Sequence, residues 1–240
     1  MKARFIYRAL KARFRDQRAE IAAMRALVRP GDIVADIGAN KGAYLYWLRQ
    51  AVGASGKVFA FEPQPKLAGY LREACSRLNW SNVQVNEVAL SDTVGTAQLH
   101  VPGEGESPEA SLENSIANVS GRTYECRIDT LDNQLKGAGR VSFLKIDVEG
   151  HELTMFRGAQ KILTQHAPAL LFECEARHLR HHTMQDVFNF LQGLGYTGEF
   201  FSTTGLRPLS EFNPKQHQKH DGPRFWDQPG YCNNFLFKKH

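Results

Sequence analysis

Val34-Ala35-Asp36-Ile37-Gly38-Ala39-Asn40-Lys41-Gly42 reads as a short buried strand that ends in a glycine-containing turn and opens a helix. Such a turn can offer free backbone N–H groups to a ligand at the carboxyl end of a strand. Set against the dinucleotide pattern GxGxxG with Gly38 first, Asn40 falls on the second glycine position and Ala43 on the third. A side chain at the second position obstructs a pyrophosphate, and the Asp36 carboxylate beside the turn repels one. Asp36 suits an ammonium group instead. The next apolar run ends at Glu62, stopped by Pro63 and Pro65, and a carboxylate there can accept both hydroxyls of a ribose. A ribose at one end, an amino acid at the other and no pyrophosphate between them describe S-adenosylmethionine.

Outward from this turn, short apolar runs alternate with segments of helical spacing, the pattern of a parallel α/β sheet. Strands are expected at 33–37, 58–62, 83–90, 141–147 and 169–174, because each run is nearly continuous and too short for a helix. Helices are expected at 43–52, 65–78, 152–164 and 184–194, the last stopped by Gly195, with weaker strands at 196–201 and 234–238. Residues 102–121 and 207–230 break the alternation and read as long loops near the substrate side.

The segments DIVADIGANKG, FAFEP, VALSD, RIDTLD and LKIDVEGHE, the last followed by Gly158-Ala159, resemble the FkbM family of S-adenosylmethionine-dependent methyltransferases over about residues 30–175. The resemblance implies a class I methyltransferase, Rossmann-like fold with a seven-stranded, mostly parallel sheet in the order 3-2-1-4-5-7-6. It also implies methylation of a hydroxyl, on a saccharide or a secondary metabolite. Carried over by position, Asp36, Gly38, Asn40 and Gly42 would line the methionine part of S-adenosyl-L-methionine, Glu62 would hold the ribose, and Ala89 and Leu90 would lie against the adenine.

Asp147 and Glu173 end the fourth and fifth apolar runs and should face the same crevice, so Asp147 is also a candidate cofactor contact. Methyl transfer requires alignment of acceptor oxygen, methyl and sulfur, and removal of one proton from a neutral alcohol. Asp147 and His151 are equal candidates for the base, with Glu149 beside them; the alternative is that 149–152 merely starts a helix. Asp147, Glu149, His151 and Glu173 could also converge on a divalent ion, which the sequence leaves undecided. His178, His181 and His182 fit one helical turn, either lining the substrate mouth or forming a polar surface cluster.

The 240 residues carry a net charge of +5, with 30 Lys and Arg against 25 Asp and Glu, but the excess is local. Residues 1–32 hold nine basic and three acidic side chains; the remainder is close to neutral. Residues 3–29 read as one amphipathic helix, with Ile6, Leu10, Phe14, Ile21, Met24 and Val28 on the apolar side and a stripe from Arg4 to Arg29 opposite. That makes residues 1–30 an added basic helix on a methyltransferase domain at 31–240. Its cations could meet an anionic membrane surface, pair with the acidic 102–121 loop, or face solvent.

No Lys or Arg occurs between Arg77 and Arg122, while Glu87, Asp92, Glu104, Glu106, Glu109 and Glu113 do. A loop so charged over the site would repel a phosphate backbone, which disfavours nucleic acid and favours a small-molecule or glycan hydroxyl acceptor. Cys75, Cys126, Cys174 and Cys232 form no CxxC pair and read as reduced, mostly buried thiols. With no apolar run long enough for a membrane span and no signal-peptide core, the expected location is the cytoplasm, with a peripheral position at the inner membrane surface as the variant that the basic helix leaves open. The rival readings are an NAD(P)-dependent oxidoreductase and a non-catalytic S-adenosylmethionine-binding module.

Overall fold

A computed structural model describes residues 2–113, 120–222, 224–228 and 230–239. The chain begins with α1 (Lys2–Lys11), a π-helical turn at Ala12–Asp16 and α2 (Arg18–Leu27). The alternation follows as β1 (Ile33–Ile37), α3 (Ala43–Val52), β2 (Lys57–Phe61), α4 (Pro65–Arg77) and β3 (Val83–Asn86). An excursion comprises β4 (Ala89–Leu90), β5 (Gly95–Pro102), β6 (Gly121–Asp129) and α5 (Leu131–Gln134). The chain then returns through β7 (Val141–Ile146), α6 (Glu152–Arg157), α7 (Gln160–Gln165), β8 (Ala169–Glu173) and α8 (Met184–Gly193). It finishes with β9 (Thr197–Ser202), β10 (Gly205–Pro208), α9 (Pro214–His217) and β11 (Asn234–Lys238).

The main sheet has eight strands, in the order β10-β9-β11-β8-β7-β1-β2-β3, rather than the seven expected. Its half from β8 to β3 is parallel; β11 runs antiparallel to both β8 and β9, and β10 folds back on β9 as an added, exposed edge strand. A second sheet, β4-β6-β5, was not anticipated. The run at 83–90 is two strands because the chain leaves β2 after Asn86 and pairs Ala89 and Leu90 with Ile128 and Asp129 of β6. The 102–121 loop therefore joins β5 to β6 instead of following the third strand of the main sheet; its residues 114–119 lie outside the described ones.

Alternate residues of β1 feed two apolar cores, one on each face of the sheet. Ala35 and Ile37 join Phe156, Phe172 and Phe235, whereas Val34 joins Leu45, Leu48, Met24 and Phe5. The helix expected at 152–164 is two, α6 and α7. Asp132 intervenes: its carboxylate accepts the Lys161 and Ile162 N–H groups (2.9 and 3.0 Å) and so caps a new helix start.

The N-terminal segment also departs from its expected form. It is not one helix, since the chain turns at Gln17 (φ −136°), after the π turn. Its buried side in α1 is Phe5 and Ala9, continued by Ala12, while Leu10 and Phe14, expected to pack, are exposed. Phe5 sits among Tyr46, Tyr70 and Trp80, and Trp47 Nε1 donates to Ala9 O at 2.8 Å. Ile21, Met24 and Val28 are buried as expected. Full burial of a side chain such as Phe5 contributes about 1.5–3 kcal/mol, and the segment shares its apolar core with β1 and α3.

All four cysteines are buried free thiols, and burial pushes those of Cys75 and Cys126 up to about 11. Among the described residues no helix is long and apolar enough to cross a membrane.

Candidate active site

A cleft opens where β1, β2 and β7 end, between the main sheet and the β4-β6-β5 sheet. It is lined by Gly38 and Asn40 of the turn, Glu62 and Gln64 after β2, Val88 to Leu90 around β4, and Asp147, Val148 and His151 after β7. Pro108, Ala110 and Leu112 of the β5–β6 connection form its cover. This is the crevice outside the carboxyl ends of parallel strands where such sheets bind ligands.

Most of the turn's hydrogen bonds are satisfied internally. The Gly38 and Ala39 N–H groups donate to Phe61 O (2.9 and 3.0 Å), that of Asn40 to Glu62 Oε2 (2.7 Å), and that of Gly42 to Ala39 O (2.8 Å). The expectation of free N–H groups is therefore corrected at these four positions, and a pyrophosphate has no such cradle to enter. Asn40 adopts a left-handed conformation (φ 46°), which asparagine tolerates better than most side chains. Gly38 (φ 75°) is required by close approach, since a Cβ there would stand 1.8 Å from Asp147 O.

Glu62 lines the cleft as expected, yet it is also a structural clasp. Its Oε1 accepts the Gln64 N–H at 2.9 Å while Oε2 holds Asn40, so one carboxylate ties the first strand's turn to the second strand's end. Burial raises its pKa to about 7 against the pull of these two N–H groups. Each oxygen keeps a second lone pair for a hydroxyl.

Two expected cofactor contacts face elsewhere. Gly42 does not line the cleft: a Cβ on it would meet the Phe5 ring and Leu71. Asp36 is buried on the opposite side of β1, where burial raises its pKa to about 6 although Lys145 opposes the rise. Lys145, in turn, reaches Asp147 Oδ2 at 2.9 Å and lies over the Tyr44 ring. Burial disfavours its charge, but Asp147 and Asp36 more than offset that and raise its pKa. Asp36 thus feels the charge of Lys145, but neither of its buried carboxylate oxygens has a hydrogen-bond partner.

Asp147 and His151 come together at the cleft, but His151 is fully engaged. Its Nδ1 lies 2.8 Å from Glu113 Oε1 and its Nε2 3.0 Å from Ser91 Oγ. Glu113 is held below the usual carboxylate range chiefly by its hydrogen bond with His151. Glu149 is turned away, with its Oε2 2.6 Å from His178 Nδ1 and its backbone carbonyl accepting Ser111 Oγ at 2.5 Å. Burial would favour a neutral His178, and Glu149 raises its pKa instead. Glu173 is half-buried, desolvation and the neighbouring carboxylates push its pKa well up, and its Oε1 takes the Asn233 side-chain amide at 2.7 Å.

The divalent-ion option therefore finds no convergence of Asp147, Glu149, His151 and Glu173, and among the described residues no group of three or more His, Cys, Asp or Glu could hold a metal. His178, His181 and His182 lie in an irregular turn, not a helix. His181 is 4.0 Å from Glu113, and His182 lines a second cavity with Leu179, Met184, Phe188 and Phe212.

Sequence reasoning missed Gln64, Ser91, Ser107 and Ser111. Gln64 exchanges two hydrogen bonds with the Ser107 backbone (2.9 and 3.1 Å), fastening the cover of the cleft. A VALSD motif next to an apolar strand was the available signal for Ser91; the others needed long-range contacts. The cover is also less acidic than its composition implied, because Glu106 meets Lys66 at 3.1 Å and Arg122 at 3.7 Å.

The FkbM methyltransferase domain model matches residues 36–197. No curated protein matches the sequence. Among solved structures, the methyltransferase FkbM from Methylobacillus flagellatus KT is similar at 17% identity and a TM-score of 0.54, covering 98% of this chain and 54% of that one. This chain thus spans about half the length of that protein. A putative rRNA-methylase from Clostridium thermocellum (12% identity, TM-score 0.52) covers 91% of this chain and 92% of that one. A precorrin-6y C5,15-methyltransferase from Geobacter metallireducens GS-15 (11% identity, TM-score 0.50) covers 94% and 87%. At these identities the structures establish a shared fold and nothing about the acceptor.

Proposed function

Because the chain belongs to the FkbM methyltransferase family, we propose that it transfers a methyl group from S-adenosylmethionine to a hydroxyl oxygen of a small-molecule or glycan acceptor. The observation that carries this reading is the pairing of walls across the turn: Glu62 ends β2 on one side of β1, and Asp147 follows β7 on the other. The lining suits the cofactor in its chemistry. On this reading Glu62 accepts ribose hydroxyls, Val88, Leu90 and Leu99 form an apolar bed for adenine, and Asp147 lies towards the amino-acid end.

S-adenosylmethionine supplies an electrophilic methyl group on a sulfonium. The chain has to orient the acceptor, exclude water and take one proton. Asp147 is the proton acceptor on this reading: its side chain keeps 28% of its surface exposed, and only Oδ2 is held by Lys145. His151, with Glu113 and Ser91 on its two ring nitrogens, is a wall that orients the acceptor; as a base it would first have to release Ser91. Glu149 positions the cover through Ser111 and does not touch the cleft. A dinucleotide reading is disfavoured by the occupied N–H groups of the turn. Nucleic acid is disfavoured because residues 102–121 contain no Lys or Arg and leave Glu104 and Glu109 exposed, while Lys66 and Arg122 at their edge are paired with Glu106.

Calorimetry with S-adenosylmethionine and with NAD(P)H, followed by mass-spectrometric screening of sugar and polyketide-type alcohols, tests the assignment. Expected are cofactor binding only for the former and a gain of one methyl on oxygen. Asp147→Asn should lose on the order of 10²-fold or more in turnover, and His151→Ala less, with cofactor affinity changed far less than turnover in both. NAD(P)H binding without S-adenosylmethionine binding, or transfer to nitrogen or carbon, sinks the reading.

A further inference from the structure

Tyr7, Leu10 and Phe14 stand on one outward stripe at steps of three and four, with 64%, 39% and 64% of their surface exposed. They are three of the six exposed large apolar side chains among the described residues; the other three, Val94, Leu206 and Trp226, are scattered. At about 100° per residue, Tyr7 lies roughly opposite Phe5 and Ala9, the buried side of α1. The helix is therefore apolar on both faces. One face is explained by the core; on the outward one Phe14 meets the body edge-on to Trp47 at 6.5 Å, yet it and Tyr7 keep most of their surface exposed.

The flanks of the stripe are cationic. Residues 2–19 carry seven Lys or Arg and a single acid, Asp16. Lys2, Arg4 and Arg18 are exposed beside or beyond the stripe. Lys11 and Arg15 share Asp16 at 3.4 and 2.6 Å, so one carboxylate answers two cations. An aromatic and aliphatic stripe bordered by long basic side chains suits the interface of a bilayer, where the rings enter the headgroup region and the cations meet lipid phosphates.

We propose that the outward face of α1 and its π turn docks on an anionic lipid bilayer, with Tyr7, Leu10 and Phe14 inserted at the interface and the flanking cations on the headgroups. The buried face already anchors the helix to the protein through Phe5, which packs behind Gly42. A docked helix thus holds the cleft-forming turn one side chain away from the membrane-facing element. The proposal does not depend on which acceptor is methylated.

Co-sedimentation of the full chain with vesicles tests it, comparing phosphatidylcholine alone with phosphatidylcholine containing one third phosphatidylglycerol. Expected is sedimentation with the anionic vesicles only, weakened at high salt. The triple variant Tyr7→Ser, Leu10→Ser, Phe14→Ser and the double variant Arg4→Glu, Arg18→Glu should each lower the bound fraction by about tenfold or more. All these positions are exposed, and unchanged thermal melting of the variants checks that the fold is kept. Failure to bind anionic vesicles, equal binding to both vesicle types, or binding untouched by the variants overturns the proposal. A concentration-dependent dimer that the triple variant dissolves, without vesicle binding, also overturns it and assigns the face to a second copy.

Discussion

Gly42 and Phe5 occupy adjoining space so tightly that a Cβ on Gly42 would come within 2.5 Å of Phe5 Cε2. The end of the turn at the cleft is thereby backed by the N-terminal helix, and the two regions, read separately in the sequence, form one packing unit.

The first prediction tests that unit. Gly42→Ala adds a Cβ at a φ of 77° and against an aromatic ring, so it should lower stability by about 1–3 kcal/mol. Phe5→Leu should cost less in the Gly42→Ala background than alone, because the smaller side chain frees the space that the new Cβ needs. Urea unfolding of the four proteins of the cycle checks this; additivity within about 0.5 kcal/mol would show the contact to be inconsequential.

A second prediction concerns the clasp at Glu62. Gln at this position keeps one acceptor oxygen, so either the Asn40 or the Gln64 N–H is left facing an amide NH₂. An unsatisfied buried donor costs about 1–3 kcal/mol. Glu62→Gln should therefore lower thermal stability even without ligand and weaken S-adenosylmethionine binding by at least about tenfold, since a ribose acceptor is lost as well. Unaltered melting would remove Glu62 from the structural role.

Glu152 gives a pH signature. It is fully buried, accepts the Gly150 N–H at 2.9 Å, and burial raises its pKa to about 8. The folded chain then keeps a proton that the unfolded chain releases at ordinary carboxyl pH. Stability contributed by this group falls as pH rises between its ordinary value, 4.5, and about 8. Glu152→Gln keeps the acceptor and cannot ionise, so its advantage over the parent should grow across that window and level off above it. Denaturant titrations at several pH values read the difference, and a gap independent of pH would contradict the assignment.

Lys145 lies between two carboxylates, and its removal leaves them uncompensated. Lys145→Met should destabilise the protein at neutral pH by about 3–5 kcal/mol, the usual cost of breaking a buried pair from one side. Asp36, with its pKa already raised to about 6, takes up a proton as the medium is acidified. The loss should therefore shrink below that pH, and a destabilisation equal at acid and neutral pH would refute the proposed compensation.

Elements whose stabilising contacts are local were legible before the fold was known. The helices at α3 and α8 follow from apolar spacing, α8 also from the terminating Gly195, and β1, β2, β7 and β8 from continuous apolar runs. What the pattern could not contain was the departure after Asn86: Val88, Ala89 and Leu90 are as apolar as any core strand, and only the pairing of Ala89 and Leu90 with β6 distinguishes the run. Leu10 and Phe14 were misassigned for a related reason. Periodicity marks an apolar stripe but not which of two such stripes is buried, and Phe5 and Ala9 enter the core between α3 and α4 whereas Phe14 only edges onto Trp47 of α3.

The sequence by itself determined the alternating α/β architecture and a turn unsuited to pyrophosphate, because these depend on residue type along a single segment. It also put Glu62, Asp147 and Glu173 at strand ends expected to face one crevice, and of these Glu62 and Asp147 line it. Tertiary structure alone decided what those groups have left to offer. Asp36 is buried beside Lys145 with no hydrogen-bond partner of its own, Gly42 is backed by Phe5, His151 is held by Glu113 and Ser91, and Glu149 by His178, all neighbours distant in the chain or on another element. A side chain's chemistry is written in its identity, whereas its availability depends on which neighbours the fold brings within about 3 Å, the reach of a hydrogen bond.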